Sequence, residues 1–128
     1  MSVVVGYIPN QYGEAALEAA LLEAQRRGTS LVVVNATRGD SLVDERYLGE
    51  EGRRGLEERL SATPVDVELR QAMGPDVADE LLSVVREVGA EALVIGIRHR
   101  SQVGKMLMGS VATRLLMEAP CPVVAVKP

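Results

Sequence analysis

Aromatic residues are nearly missing from this sequence. The 128-residue chain has no Phe, no Trp and only three tyrosines, Tyr7, Tyr12 and Tyr47. RNA-recognition sheets and single-strand binders stack bases on several exposed rings, so neither class is expected here. The core must then be aliphatic, built chiefly from Val, Leu and Ala. Thiol and imidazole groups are as scarce, with one cysteine (Cys121) and one histidine (His99). A lone cysteine forms no internal disulfide, and one Cys with one His cannot build a structural zinc site. No apolar run approaches the roughly 18–20 residues needed to cross a bilayer. Met1-Ser2 runs straight into Val3-Val4-Val5, without the basic segment and cleavage-like site of a signal peptide. The expected location is the cytoplasm.

What is present is globular. Hydrophobic residues make up 47% and charged residues 25%, too apolar a mixture for a disordered chain. The length suits one domain, residues 1–128. Net charge is −4, so no chain-wide attraction to nucleic acid or an anionic membrane is expected.

Apolar runs and turn signals alternate along the chain. Ser2 to Tyr7 (SVVVGY) is rich in β-branched residues and predicts a strand buried on both faces. Pro9-Asn10 marks a turn. Leu17, Ala20, Leu21 and Ala24 then recur at helical spacing, ahead of Arg26-Arg27 and a stop at Gly28. Leu31 to Asn35 predicts a second buried strand. Residues 40–52 show no clear pattern, since Gly49, Gly52 and Gly55 each weaken a helix by about 1 kcal/mol relative to Ala. Leu56 to Ala62 predicts a short helix, and Val65 to Ala72 alternates as an edge strand does. Gly74-Pro75-Asp76 opens a third helix, with Pro75 at its first position and Val77, Leu81, Val84, Val85 and Val88 as its stripe. Ala92 to Ile95 is a fourth strand, Gly109-Ser110 enters a fourth helix, and Val123 to Val126 is a last strand after Pro120-Cys121-Pro122. This βαβαβαβαβ alternation means a doubly wound, Rossmann-like parallel sheet of five strands with helices on both faces.

Ligands of such folds bind beyond the C-terminal strand ends, where the winding reverses. With strand order 3-2-1-4-5, that crevice lies between Ile8 to Tyr12 and Ile97 to Met108, and Tyr7 and Tyr12 flank it. From Ala92 to Met117 there is no acid, while Arg98, Arg100, Lys105 and Arg114 carry +4; the remainder carries −8, ten basic against eighteen acidic residues. A basic loop on an acidic chain points to a specific anion. At its end Gly109 permits close approach to the backbone. The first N–H groups of the helix beyond are unpaired and favour negative charge. Ser110 reads two ways, as a donor to a phosphate oxygen or as an N-cap worth about 1 kcal/mol.

Standard nucleotide motifs do not fit. A Walker A loop ending at Gly104-Lys105 needs Gly at 99 and Ser or Thr at 106, where the chain has His99 and Met106. No GxGxxG follows the first strand, and Gly-Tyr-Ile-Pro stands where a phosphoacceptor receiver domain has acids. No Ser or Cys has a marked His partner, so no catalytic residues are assigned. Asp40 and Asp44 follow strand 2 but read as exposed acids, not as metal ligands. Cys121 reads as a small packed residue, and Met106, Met108 and Met117 as core or interface filler.

The chain resembles the universal stress protein family. That family's signature is Gly, two residues, Gly, nine residues, then Gly and Ser or Thr. Here it reads Gly96-Ile97-Arg98-His99, nine residues, Gly109-Ser110. The resemblance extends to Gly-Pro before helix 3, the ALVIG strand, the GSVATRLL helix and the APCPVVAVKP ending. It implies an adenine nucleotide alpha-hydrolase-like domain of strand order 3-2-1-4-5 that binds ATP or AMP, alone or with Mg²⁺. Carried over by position, Gly96, Gly109, Ser110 and Val111 would surround ribose and phosphates, backbone near Ala36 would meet the adenine edge, and Ile95 joins the nucleotide-binding set. With so few rings, adenine would be held mainly by aliphatic side chains and backbone. Two positions depart from the family. Its acidic residue after strand 1 falls at Ile8, with Asn10 the nearest polar substitute, and its second signature glycine is His99, which reads either as a solvent-exposed loop residue or, with Arg98 and Arg100, as a phosphate contact.

Three functions compete. The leading one is a cytoplasmic stress-response protein that binds ATP or AMP as a sensor or regulator, not an efficient enzyme. The second is a nucleotide-free interaction module of the same fold, motivated by Ile8 and His99. The third is a slow ATP hydrolase, for which no base is visible. The last strand is apolar and lies at a sheet edge, an aggregation hazard unless covered. The resemblance implies a homodimer, with Val123, Val124 and Val126 in the shared edge.

Overall fold

A computed structural model describes residues 1–37, 47–97 and 109–128. Five strands and four helices alternate: β1 (Ser2–Gly6), α1 (Gln11–Arg27), β2 (Ser30–Thr37), α2 (Glu50–Ser61), β3 (Val67–Met73), α3 (Val77–Val88), β4 (Ala92–Gly96), α4 (Ser110–Glu118) and β5 (Val123–Val126). The strands form one parallel sheet of order β3-β2-β1-β4-β5. Val4 stands at its centre, level with Val32 on one side and Leu93 on the other.

The period of two along each strand divides the core into two layers. Val3, Val5, Leu31 and Val33 pack under Ala16, Leu17 and Ala20 of α1 and Leu56 and Leu60 of α2. Val4, Val32, Val34, Leu93 and Ile95 face the other way, under Leu81, Leu82 and Val85 of α3 and Leu115 of α4. Tyr7 is the one ring in either layer, so the core is aliphatic as composition requires.

Helix ends follow local chemistry. Asn10 caps α1, its side chain accepting from Tyr12 N and Gly13 N, both at 3.0 Å. Gly28 and Gly89 end α1 and α3 in the left-handed region, at φ 63° and 60°, which L side chains adopt at a cost. Two helices begin elsewhere than their sequences suggest. Pro75 is not the first residue of α3: the Asp76 side chain accepts from Asp79 N at 3.1 Å, and this cap makes Val77 the first helical residue. Helix α2 starts at Glu50, six residues before the expected Leu56, despite the helical Gly52 and Gly55. Burial of Leu56 and Leu60, with the i,i+4 pairs Arg54–Glu50 (3.4 Å) and Arg53–Glu57 (3.5 Å), outweighs the propensity cost.

Candidate functional site

At the centre of the sheet the chain leaves β1 toward one face and β4 toward the other, since α1 and α4 belong to different layers. The strand ends part there, and a cavity of about 510 Å³ opens above them. Tyr7, Ile8, Tyr12 and Gly13 of the β1–α1 turn form one side. Ala36 and Thr37 close the β2 end, and Ile95 and Gly96 lie at the β4 end. Val77 and Leu81 of α3 face Val111, Ala112 and Leu115 of α4 across the remaining wall, with Gly109 at its lip. Aliphatic groups dominate this lining.

The ten candidate residues separate into three groups. Ile8, Ala36, Ile95, Gly96, Gly109 and Val111 border the cavity. Asn10 and Ser110 do not line it: Asn10 Oδ1 is engaged in capping α1, and Ser110 is exposed at the first position of α4. Arg98 and His99 lie outside the described residues, as do Arg100, Lys105, Met106 and Met108 and the acids Asp40 and Asp44. Both flanking rings, Tyr7 and Tyr12, reach the cavity wall. Among the residues the sequence did not single out for this site are Gly13, Val34, Thr37, Val77, Leu81 and Leu115. Val77, Leu81 and Leu115 were legible only as helix stripes, because the same side chains serve core and cavity.

The glycines of the site differ in what needs them. A Cβ on Gly96 would collide with the Tyr12 carbonyl, and one on Gly13 with the Ile8 carbonyl. Gly96 is therefore required by the packing of the first turn of α1 against β4, and Gly13 by the fold of the β1–α1 turn on itself. Gly109 is different. Its φ of −63° and ψ of 160° suit any residue, and no described atom lies within 4 Å of where its Cβ would stand. Nothing described in the protein demands a glycine there. Gly109 also takes the N-cap position of α4 without any side-chain cap bond, which corrects the N-cap reading of Ser110. An extended Gly109 supplies the turn into the helix, so Ser110 already has helical geometry. The first turn of α4 carries no acid, and its leading N–H groups have no intrahelical acceptor.

Three polar assemblies support the cavity. Buried Asn35 donates from Nδ2 to the Tyr7 carbonyl at 2.9 Å and accepts from Leu48 N at 3.0 Å, fixing the end of β1. Gln71 of β3 donates to the Leu48 carbonyl at 2.9 Å. Tyr7 OH donates to Glu14 Oε2 at 2.5 Å, and Arg59 of α2 donates to Glu14 Oε1 at 2.7 Å. Burial, and then the Glu14 carboxylate, push the Tyr7 phenol up to about 12. The Arg59 guanidinium holds the Glu14 carboxyl below the usual carboxylate range. Third, Arg114 is bonded to Asp76, Asp79 and Glu118. Of the four basic residues in the acid-free window, Arg114 is thus the one described, and its charge is already compensated. Met117 is exposed on α4, outside the core, and burial raises the thiol pKa of half-buried Cys121.

Comparison with known proteins agrees with this geometry. Residues 1–127 match the family model described as the universal stress protein family. A universal stress protein of Mycolicibacterium smegmatis is 50% identical over 126 residues, covering 98% of this chain and 97% of that one. The structure of a universal stress protein from Archaeoglobus fulgidus superposes with a TM-score of 0.73 at 31% identity, over 99% of this chain and 98% of its own. Another from Archaeoglobus fulgidus, in complex with dAMP, gives 0.68 at 26% identity over the same shares, 99% and 98%. Sheet order and structural neighbours together give the adenine nucleotide alpha-hydrolase-like fold. The chain belongs to the universal stress protein family.

Proposed function

We propose that this protein binds an adenine nucleotide, AMP or ATP, alone or with Mg²⁺, and serves as a sensor or regulator in the stress response. It works by binding and not by turnover, as one domain over residues 1–128, in the cytoplasm. The observation that carries the reading is Gly109, a glycine no described neighbour requires, at the lip of an aliphatic cavity and directly before the N-terminus of α4. A phosphate approaching the α4 amides would meet a Cβ at that position, and glycine removes it. Ile8, Ala36, Ile95, Gly96 and Val111 supply the walls for base and sugar, while Ser110, Asn10, Arg98 and His99 are the polar candidates around them. The dAMP complex of the Archaeoglobus fulgidus relative supports the ligand class.

The apolar Ile8 on the cavity wall favours a second reading, a nucleotide-free interaction module. Acid extraction of purified protein, chromatography of the extract and thermal shift with AMP and ATP separate the two. Recovered nucleotide, or a raised melting temperature at millimolar ligand, supports binding. Neither signal leaves the interaction module standing.

The protein is a homodimer joined through β5. Leu93 N donates to the Pro122 carbonyl at 2.9 Å and Ile97 N to the Val126 carbonyl at 2.8 Å. Alternate residues of β5 therefore face β4, and Val123 and Ala125 turn their backbone groups outward. Val123, Val124 and Val126 remain half-buried at this edge, with exposed Leu116 and Met117 on α4. Pairing with the same strand of a second copy satisfies the edge and covers the apolar surface.

A further inference from the structure

Arg114 lies one turn inside α4, and its side chain reaches α3. Nη1 donates to Asp76 Oδ2 at 3.0 Å, Nη2 to Asp79 Oδ1 at 2.7 Å and Nε to Glu118 Oε2 at 2.9 Å. Asp76 is also the N-cap of α3, where its other oxygen accepts from Asp79 N. One guanidinium therefore ties the first turn of α3 to α4. Val77, directly after Asp76 on α3, and Val111, three residues before Arg114 on α4, both line the same cavity. Isolated exposed ion pairs contribute little, but a planar fork that engages three carboxylates fixes a geometry no single pair can.

We infer that Arg114 is a positioning residue of the cavity: by clamping α4 to the N-cap of α3, it holds the Gly109–Val111 turn where a nucleotide phosphate meets the α4 amides. The inference rests on the nucleotide-binding reading above. Arg114 does this from outside the cavity, since it is not among the lining residues. All three of its nitrogens donate to carboxylates, so it acts through geometry and not as a phosphate ligand. The effect falls chiefly on the phosphate end, because the clamp reaches Val77 and Val111 but not the walls from Ala36 and Ile95, which belong to β2 and the end of β4.

The test compares AMP with adenosine, by calorimetric titration of wild-type protein, Arg114→Gln, Arg114→Lys and Asp79→Asn. Arg114→Gln should weaken AMP about tenfold and leave adenosine within about twofold, with Arg114→Lys intermediate. Asp79→Asn gives the sign. It removes a negative charge and loosens Arg114, so AMP binds more tightly if Arg114 acts as a charge alone and more weakly if it acts as a clamp. Hydrogen exchange at the amides of residues 113–116, the first in α4 with intrahelical acceptors, provides an independent readout and should quicken in Arg114→Gln. AMP and adenosine weakened alike, AMP unaffected, or AMP strengthened in Asp79→Asn would each overturn the inference while leaving the nucleotide reading intact. Wild-type protein that binds neither ligand overturns both.

Discussion

The carbonyl of Tyr12 rests against the α-carbon of Gly96, so close that a Cβ on Gly96 would collide with it. The first turn of α1 thereby lies directly on the end of β4, and the two sides of the cavity are held by backbone contact. A glycine that sequence alone places beside a phosphate is already used by the protein itself.

That contact predicts an asymmetry among glycines. Gly96→Ala and Gly13→Ala must displace backbone, and overpacking of this kind costs about 1–3 kcal/mol. Thermal melts should show both variants clearly destabilised. Gly109→Ala meets open space, and its loss is limited to the weaker N-cap preference of Ala, about 1 kcal/mol or less.

Asn35 predicts a larger structural effect than its place in an apolar run suggests. Asn35→Ala leaves the Tyr7 carbonyl and Leu48 N–H unpaired in a buried site, at about 1–3 kcal/mol for each group left unmet. Urea unfolding should show a lower midpoint with little change in slope.

The Tyr7, Glu14 and Arg59 assembly predicts stability lost at both ends of the pH scale. Glu14 is held below its ordinary value of 4.5, so its contribution is present above that pH and is lost as pH falls through its folded value. The melting-temperature gap between wild-type protein and Glu14→Gln should close in acid. Tyr7 is raised from 10.0 to about 12, so its contribution is complete below pH 10 and disappears between 10 and 12. An ultraviolet tyrosinate titration should contain a step near pH 12 that Tyr7→Phe removes.

Much of this molecule is legible in its sequence, and the exceptions share a cause. The strands β1, β2 and β4 stand out because burial on both faces makes them unbroken apolar runs, and their alternation with helical stripes is enough for the doubly wound sheet. The start of α2 was hidden because propensity opposes it, and only packing of Leu56 and Leu60 on the sheet decides the matter. Asn35 gave no signal, and Arg114 only that of one more charge in a basic window, for the same reason. Their partners are far away in sequence: Tyr7 is 28 residues from Asn35, and Asp76 is 38 residues from Arg114. The register of the sheet and the packing of α3 on α4 bring them together. The role of Gly109 as the α4 N-cap likewise emerges only from the backbone.

The outward backbone groups of β5 predict how the proposed dimer can be undone. Ala125 is exposed and turned away from β4, so Ala125→Pro removes an edge donor without breaking the β4–β5 ladder. Light scattering at micromolar concentration should report a dimer for wild-type protein and a monomer for Ala125→Pro. A wild-type monomer contradicts the proposed assembly.

Calorimetric titration of wild-type protein and Gly109→Val with AMP and ATP tests the nucleotide site most directly. Valine fits the extended backbone at that position and meets no described atom, so the variant should melt close to wild type. The expected result is saturable binding at one site per protomer in wild-type protein, lost in Gly109→Val. No binding to wild-type protein at millimolar AMP or ATP, or equal binding to both proteins, would contradict a phosphate seated at Gly109 and the α4 N-terminus.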